Sequence, residues 1–268
     1  TPNRHERELD VLLTAGERIS MALLSMALAD LKIDAISFTG SQAGIITDET
    51  HTAAKIIEIK PIRVKEELAK GKVVIIAGFQ GVSRTKEITT LGRGGSDTTA
   101  AEMAAALGGA CEIYTDVEGV FSADPRVVSD ARKYESLPHS IVLEMALCGA
   151  QVMHSRSIEA AQRSGIRMFV GSTQSGKGTW LTPDKIVIPE VAAICSVGAQ
   201  VSVIGSNVGD NKKVLNAAEG YFKQGGISAE RLTSHTDSIR FSINDAQGEM
   251  YEITAQAVRS LHQKFFNK

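Results

Sequence analysis

The chain has 268 residues, with 29 Lys plus Arg against 31 Asp plus Glu and a formal charge of -2. A nucleic-acid-binding surface needs clustered excess Lys and Arg, so this near-neutral balance, without a basic run, argues against one. Hydrophobic residues make up 43%, which argues against disorder and supplies a core for one large or two ordinary domains.

The chain opens TPNRHERELD, polar and charged and without an initiator Met, which reads as an internal start rather than a signal peptide. Residues 9–31 carry Leu12, Leu13, Ile19, Leu23 and Met26 at helical spacing, with Gly16 and Glu17 expected to interrupt the helix. AISFTG (35–40) and VVIIAGF (73–79) are short apolar runs ending near glycine, and both read as buried strands. Between them, ETHTAAKIIEIK and PIRVKEELAKG suggest a strand and a short helix. The alanine-rich stretch 97–107 predicts a helix capped by Ser96 or Asp97. A strand at 111–116, helices at 137–150 and 155–165, and a strand at 166–172 follow. This alternation predicts a parallel-type α/β sheet covered on both faces. TPDKIVIPE (182–190) is proline-flanked and reads as a linker. Beyond it, two strands, a helix, two more strands and a closing helix suit a small α+β module of the ferredoxin-like kind.

The three cysteines, Cys111, Cys148 and Cys195, are far apart and lie in apolar or small-residue settings. That pattern suits neither a disulfide framework nor a metal site, and fits a reducing cytoplasm. The longest apolar run, Val73 to Phe79, is too short to span a bilayer.

Three loops carry chemistry. TTLGRGGSDTT (89–99) runs glycines into a helix N-terminus, where free N–H groups and the dipole favour an anion, and Arg93 adds a planar fork. The plainer alternative is a turn with a capped helix. TAGERIS (14–20) puts Glu17 in an apolar helix, suited to an ammonium group with Arg18 balancing the charge, or else a solvent-facing pair. EIYTDVEGVFSADPR (112–126) follows a strand's carboxyl end, where α/β sheets bind nucleotides. There Arg126 would meet a phosphate and Val117, Val120 and Phe121 a base; the alternative is a rigid connection. GSTQSGKG (171–178) nearly matches a phosphate-binding loop, but Gly178 replaces the hydroxyl residue and a strand-like GTWLTP follows. That excludes a true P-loop and makes Lys177 a hairpin-tip residue.

LLTAGERIS, SFTGSQAGI, AGFQG, TTLGRGGSDTTA, EIYTDVEGVFSADPR and MALCGAQVMH occur in that order. Together they closely resemble the aspartate kinases of the amino-acid kinase family over about residues 8–182, and 191–268 resembles an ACT module. The resemblance implies a three-layer α-β-α kinase domain with a mostly parallel sheet at 1–182, a linker at 183–190 and a ferredoxin-like ACT domain at 191–268. It implies phosphoryl transfer from MgATP to the side-chain carboxylate of L-aspartate, in the cytoplasm, as the first step of lysine, threonine and methionine biosynthesis. By the same resemblance Glu17 holds the substrate amino group and Arg93 its α-carboxylate. Gly94, Gly95 and Ser96 line that pocket, Asp97 organises the transfer, and no protein metal site is expected beyond Mg²⁺ carried by ATP. Thr115, Asp116, Phe121, Ser122, Ala123, Asp124, Pro125 and Arg126 hold ATP. A lysine or threonine effector and a homo-oligomer formed through the ACT module are the implied partners.

The sequence departs from that family in three ways. It has no counterpart of the Lys-Phe/Tyr-Gly-Gly loop, whose lysine is worth about 3–4 kcal/mol of transition-state stabilisation on the scale of single electrostatic deletions. Phe121 and Gln151 stand where tyrosine and lysine are frequent. One ACT module is present where two are usual, and Lys212 and Lys213 stand where a glycine-led effector loop is usual. These departures keep a second reading open, a catalytically inactive regulatory or amino-acid-binding protein.

Overall fold

A computed structural model describes residues 3, 5–183, 186–232, 234–244 and 250–266. Thr1 and Pro2 of the expected kinase domain, Asp184 and Lys185 of the expected linker, and Thr233 of an expected strand lie outside the described residues. Packing divides the chain into two compact units. One holds the residues up to Cys111 together with Arg156–Ile166; the other holds Glu112–Ser155 and the residues from Arg167 onward. The expected boundary at 183–190 therefore falls inside the second unit.

The first unit begins with α1 (Glu6–Asp30), β1 (Ala35–Phe38), β2 (Ile45–Thr47), β3 (Ile56–Ile59), α2 (Ile62–Ala69) and β4 (Val73–Ile76). It continues with β5 (Gln80–Ser83), β6 (Ile88–Thr90) and α3 (Gly95–Leu107). β1 and β4 pair in parallel across a crossover, but they are not the buried strands expected: Phe38 is buried, Val73 is exposed and the rest are partly covered. A second sheet runs β3-β2-β5-β6, with β2 and β5 parallel and antiparallel neighbours at either edge. Phe38, Ile45, Val64 and Met103 join β1, β2, α2 and α3 in one apolar cluster.

α1 differs from expectation in two respects. It runs unbroken through Gly16 and Glu17, because Gly16 faces open space and one exposed helical glycine costs only about 1 kcal/mol. Its apolar side chains Leu12, Ile19, Leu23 and Met26 are exposed, and the residues it buries are Asp10 and Thr14. By length and composition alone α1 would pass for a membrane-crossing helix. Asp10 places it instead within its own unit: the carboxylate accepts from the Thr90 hydroxyl at 2.6 Å and from Thr52 N at 3.0 Å, and lies 2.7 Å from His51 Nδ1.

The second unit holds β7 (Cys111–Thr115), whose first residue belongs to the first unit, β8 (Ser136–Pro138) and α4 (His139–Leu147). α5 (Ser155–Ser164) returns the chain to the first unit; β9 (Met168–Ser172) and β10 (Gly178–Thr182) resume the second. Their sheet runs β7-β9-β10-β8, with β8 and β10 parallel and the β9–β10 hairpin antiparallel. In the first unit α5 closes a groove of about 610 Å³ with β3 and α3. Arg156 Nη1 donates to Leu91 O at 3.0 Å there, and Arg163 pairs with Glu102. None of the candidate site residues lines this groove.

The rest of the second unit is β11 (Ala193–Val197), β12 (Gln200–Ile204), a short 3₁₀ turn (Val208–Asp210), α6 (Lys212–Gln224), β13 (Ala229–Arg231), β14 (Ser238–Ile243) and α7 (Met250–Phe266). The antiparallel sheet β11-β12-β14-β13 alternates sides along each strand. Val201, Val203, Ile239 and Phe241 meet Val214, Phe222, Val258 and Leu261 of α6 and α7 in one core. From α4, Glu144 accepts from Arg240 at 2.7 Å and from Ser238 Oγ at 2.5 Å. Arg240 and Ser238 hold that carboxyl below its ordinary range, against the opposing effect of burial.

His139 opens α4 almost fully buried, and among the described residues neither ring nitrogen has a hydrogen-bond partner. Burial lowers its pKa. An unpartnered buried polar group costs stability, so His139→Phe is expected to raise unfolding free energy by about 1 kcal/mol in urea titrations. The folded pKa lies below the unfolded value of about 6.5, so the unfolded chain takes up the proton first as pH falls. Stability should decline below about pH 6.5 and the variant should remove part of that decline; a variant less stable than the parent at pH 7 would refute the assignment.

Candidate functional site

In the first unit, β1 and β4 point their carboxyl ends the same way, and a loop leaves each. The loop after β4, Ala77–Phe79, packs on the start of α3: Phe79 N donates to Thr99 Oγ1 at 3.0 Å, and Leu91 N donates to Phe79 O at 2.9 Å. Segment Leu91–Gly94 therefore enters α3 at the carboxyl side of this sheet, where open α/β sheets hold ligands. α3 begins at Gly95, two residues earlier than expected. Its N-cap is Gly94 at φ 68°, a left-handed conformation that disfavours any side chain, so Ser96 and Asp97 lie in the first turn rather than at the cap.

Arg93 is exposed, as are Ser96 and Glu17. Among the described residues neither Arg93 nor Glu17 has a hydrogen-bond or ion-pair partner. Arg18, expected to balance Glu17, makes no ion pair with it, and its Nε is buried without a partner. The first unit thus carries Arg93, Gly94, Gly95, Ser96 and Asp97 as one cradle and Glu17 on the helix that packs against β6. Each is a charge without a partner among the described residues, open to a group of opposite sign.

Asp10 is a residue the sequence reading missed. It braces a loop and a strand end at once, Thr52 with φ 63° and Thr90 at the end of β6, which leads directly into Leu91–Gly94. The carboxylate of Asp10 in the apolar run LDVLL (9–13) was the available signal, because a buried charge persists only where it is paired.

The second unit carries the other set. Thr115 ends β7, its carbonyl accepts from Thr173 N at 2.9 Å, and its hydroxyl donates to exposed Asp116 at 3.0 Å. Gly119 follows at φ 119°, where a Cβ would lie 2.5 Å from Thr179 Oγ1. Thr179 Oγ1 accepts from Val120 N at 2.9 Å and donates to Tyr134 O at 2.6 Å, which fixes the turn. Phe121 is half-buried and bridges to Lys133. Ser122 and Ala123 are buried, and Ser122 N donates to Arg132 O at 2.9 Å while its carbonyl accepts from Ile194 N at 2.8 Å, so Ser122 presents no free group to a ligand. Asp124 closes a turn: its carbonyl accepts from Val127 N and Val128 N, both at 2.9 Å, and its carboxylate accepts from Arg126 N at 2.9 Å and from Arg126 Nη2 at 2.7 Å. The Arg126 guanidinium holds the Asp124 carboxyl below the usual range. Arg126 keeps 79% of its side chain exposed, so its outward face stays open to an anion.

Lys177 stands in the turn between β9 and β10, and a strand follows it rather than a helix. Lys177→Ala is expected to leave nucleotide affinity within about twofold of the parent, because no helix N-terminus backs it. Calorimetric titration with MgATP checks this, and a large loss would revive the phosphate-loop reading.

Residues 2–172 match the amino acid kinase family. The chain is similar to the aspartokinase of Mycobacterium tuberculosis, at 59% identity over 173 residues covering 64% of this chain and 41% of that protein. Among solved structures it is similar to E. coli aspartokinase III in complex with lysine and aspartate, with a TM-score of 0.67, 28% identity, and coverage of 97% of this chain and 59% of that one. The same enzyme in complex with aspartate and ADP gives a TM-score of 0.67 at 26% identity, covering 97% and 60%. The chain spans about half the length of the relatives it matches, 41% to 61%. With the matched residues covering well over half of its length, the chain belongs to the amino acid kinase family.

Proposed function

We propose that this chain is the catalytic part of an aspartate kinase, moving a phosphoryl group from MgATP to the side-chain carboxylate of L-aspartate. What carries the reading is the unpaired Arg93 in the glycine cradle at the head of α3, with Glu17 unpaired in the same unit. In this reading Arg93 takes the α-carboxylate by a two-point contact and Glu17 takes the ammonium group, so the side-chain carboxylate is the free end. Gly94, Gly95 and Ser96 line the pocket, and Asp97 organises the transfer. An aspartate oxygen bonds to the γ-phosphorus as the bond to the β–γ bridging oxygen breaks, giving 4-phospho-L-aspartate and ADP. Both reactants are anionic, so the chain's contribution is positioning and charge neutralisation.

Thr115, Asp116 and the Phe121–Arg126 turn take ATP, with the open face of Arg126 toward phosphate. The fit rests on the exposed Asp116 just after β7 and on that exposed guanidinium. Mg²⁺ carried by ATP would supply charge neutralisation at the phosphates, beside that of Arg126. Residues 1–182 form the kinase domain, 183–190 a linker and 191–268 an ACT-like module, the part suited to an amino-acid effector of the lysine or threonine class and to self-association. The similar E. coli enzyme was solved with lysine and aspartate, and with aspartate and ADP.

The test is aspartate-dependent ADP release from MgATP, with hydroxylamine present to trap the acyl phosphate. Aspartyl hydroxamate is the expected product. Binding of aspartate and MgATP without hydroxamate would sink the kinase reading for this chain and leave the inactive amino-acid-binding one.

A further inference from the structure

The turn assigned above to ATP is tied into the last helix of the chain. Ser122 is fully buried, and its hydroxyl lies 2.8 Å from His262 Nε2 of α7. The same oxygen accepts from Arg132 N at 2.8 Å. The hydroxyl has one proton and two lone pairs, so beside the bond from Arg132 N it either donates to His262 Nε2 or accepts from Nε2–H, as the imidazole tautomer sets. His262 is itself 1% exposed and stacks on Phe266, with ring centroids 4.4 Å apart and planes 13° from parallel. Burial favours its neutral form, the form able to accept. Ser122 O accepts from Ile194 N of β11 at 2.8 Å, and Arg132 reaches Phe266 O. Ala123 and Val128 complete the attachment, packed in the same core as Ile194, Val258 and Leu261.

We propose that His262 is a positioning residue for the nucleotide turn, holding Ser122 so that Phe121 and the Asp124–Arg126 pair keep their places on either side of it. The claim rests on the nucleotide reading of that turn. Phe121 is half-buried and Asp124–Arg126 are exposed, whereas Ser122 and Ala123 between them are buried. The backbone bonds from Ser122 N to Arg132 O and from Ile194 N to Ser122 O hold the chain there, and the Ser122–His262 bond is the side-chain tie that adds α7 to them. Through that bond a displacement of α7, whatever its cause, reaches the turn directly.

The test measures MgATP affinity by calorimetry on the full chain and on His262→Leu, His262→Gln, Ser122→Ala, and the Ser122→Ala/His262→Leu double variant. Leu keeps bulk and removes the hydrogen-bond partner. Gln offers a side-chain amide in its place. His262→Leu and Ser122→Ala are each expected to weaken MgATP binding about tenfold, the scale of one lost buried hydrogen bond. The double variant should be no weaker than either single one, as two ends of one interaction require. His262→Gln should recover affinity. Val214→Ala, which loosens the same core from α6 without touching the turn, should lower the unfolding midpoint and leave MgATP affinity unchanged.

If folded His262→Leu, or folded His262→Gln should Leu fail to fold, bound MgATP as the parent does while Ser122→Ala did not, the inference would fall alone. Additive losses in the double variant would also overturn it. If the unaltered chain bound no MgATP, the nucleotide reading and this inference would fall together.

Discussion

Arg93→Ala is expected to lower aspartate affinity by about 100-fold or more, since a two-point guanidinium–carboxylate contact contributes two charge-assisted hydrogen bonds. MgATP affinity should persist, because the residues assigned to nucleotide belong to the other compact unit. The unfolding midpoint should also persist, because Arg93 is exposed and has no partner among the described residues to lose. Arg93→Lys keeps the charge but not the fork and should recover only part of the affinity. Unchanged aspartate affinity in the alanine variant would remove Arg93 from the site and, with it, the observation on which the kinase reading depends.

Asp10→Ala should have the largest effect on stability. The substitution strands the Thr90 hydroxyl, which donates to Asp10 at 2.6 Å, and Thr52 N, which donates at 3.0 Å. It also takes the partner of His51 Nδ1 at 2.7 Å. Thr52 is held at φ 63°, a conformation costly for a β-branched residue without such a brace. Removing one member of a buried charged network costs about 3–5 kcal/mol, and urea unfolding should fall within that range. Aspartate affinity should fall with it, because Thr90 leads straight into the cradle, whereas MgATP affinity should hold. Asp10→Asn keeps the shape but one of its two terminal atoms no longer accepts, so an intermediate loss is expected. A loss under about 1 kcal/mol for the alanine variant would mean that the network adds nothing beyond ordinary packing.

Much of this was legible in the residues. Helices α2, α4, α5, α6 and α7 and strands β1, β4, β7, β9 and β10 fall where apolar periodicity and glycine punctuation put them. What escaped was short or distant. β2, β6 and β8 have three residues each, too few to display an alternation, so neither the antiparallel β2–β3 and β5–β6 pairs nor the parallel β8–β10 pair was foreseen. Gly16 reads as a break only until a helix of 25 residues carries it. The apolar stripe on α1 suggested a core face, yet the helix docks through Asp10 and Thr14, a polar attachment that no hydrophobic count registers. For the site, the glycine cradle and the Thr115–Arg126 stretch were visible as motifs. The inward turn of Ser122 and Ala123 was not, because it depends on His262 and a core supplied from 140 residues away.

The division of the chain into units also sets an order on its making. The first unit is interrupted by the whole of Glu112–Ser155 before Arg156–Ile166 rejoins it. At synthesis rates of about 5–20 residues per second, a nascent chain waits roughly 2–10 s between emerging with α3 and receiving α5. During that interval Glu102 has no Arg163 and the Leu91 carbonyl no Arg156, and Leu91 begins the segment that carries Arg93. A fragment ending at Cys111 would lack Arg156 and Arg163 permanently, so the first unit is complete only in a stretch that runs on to Ile166.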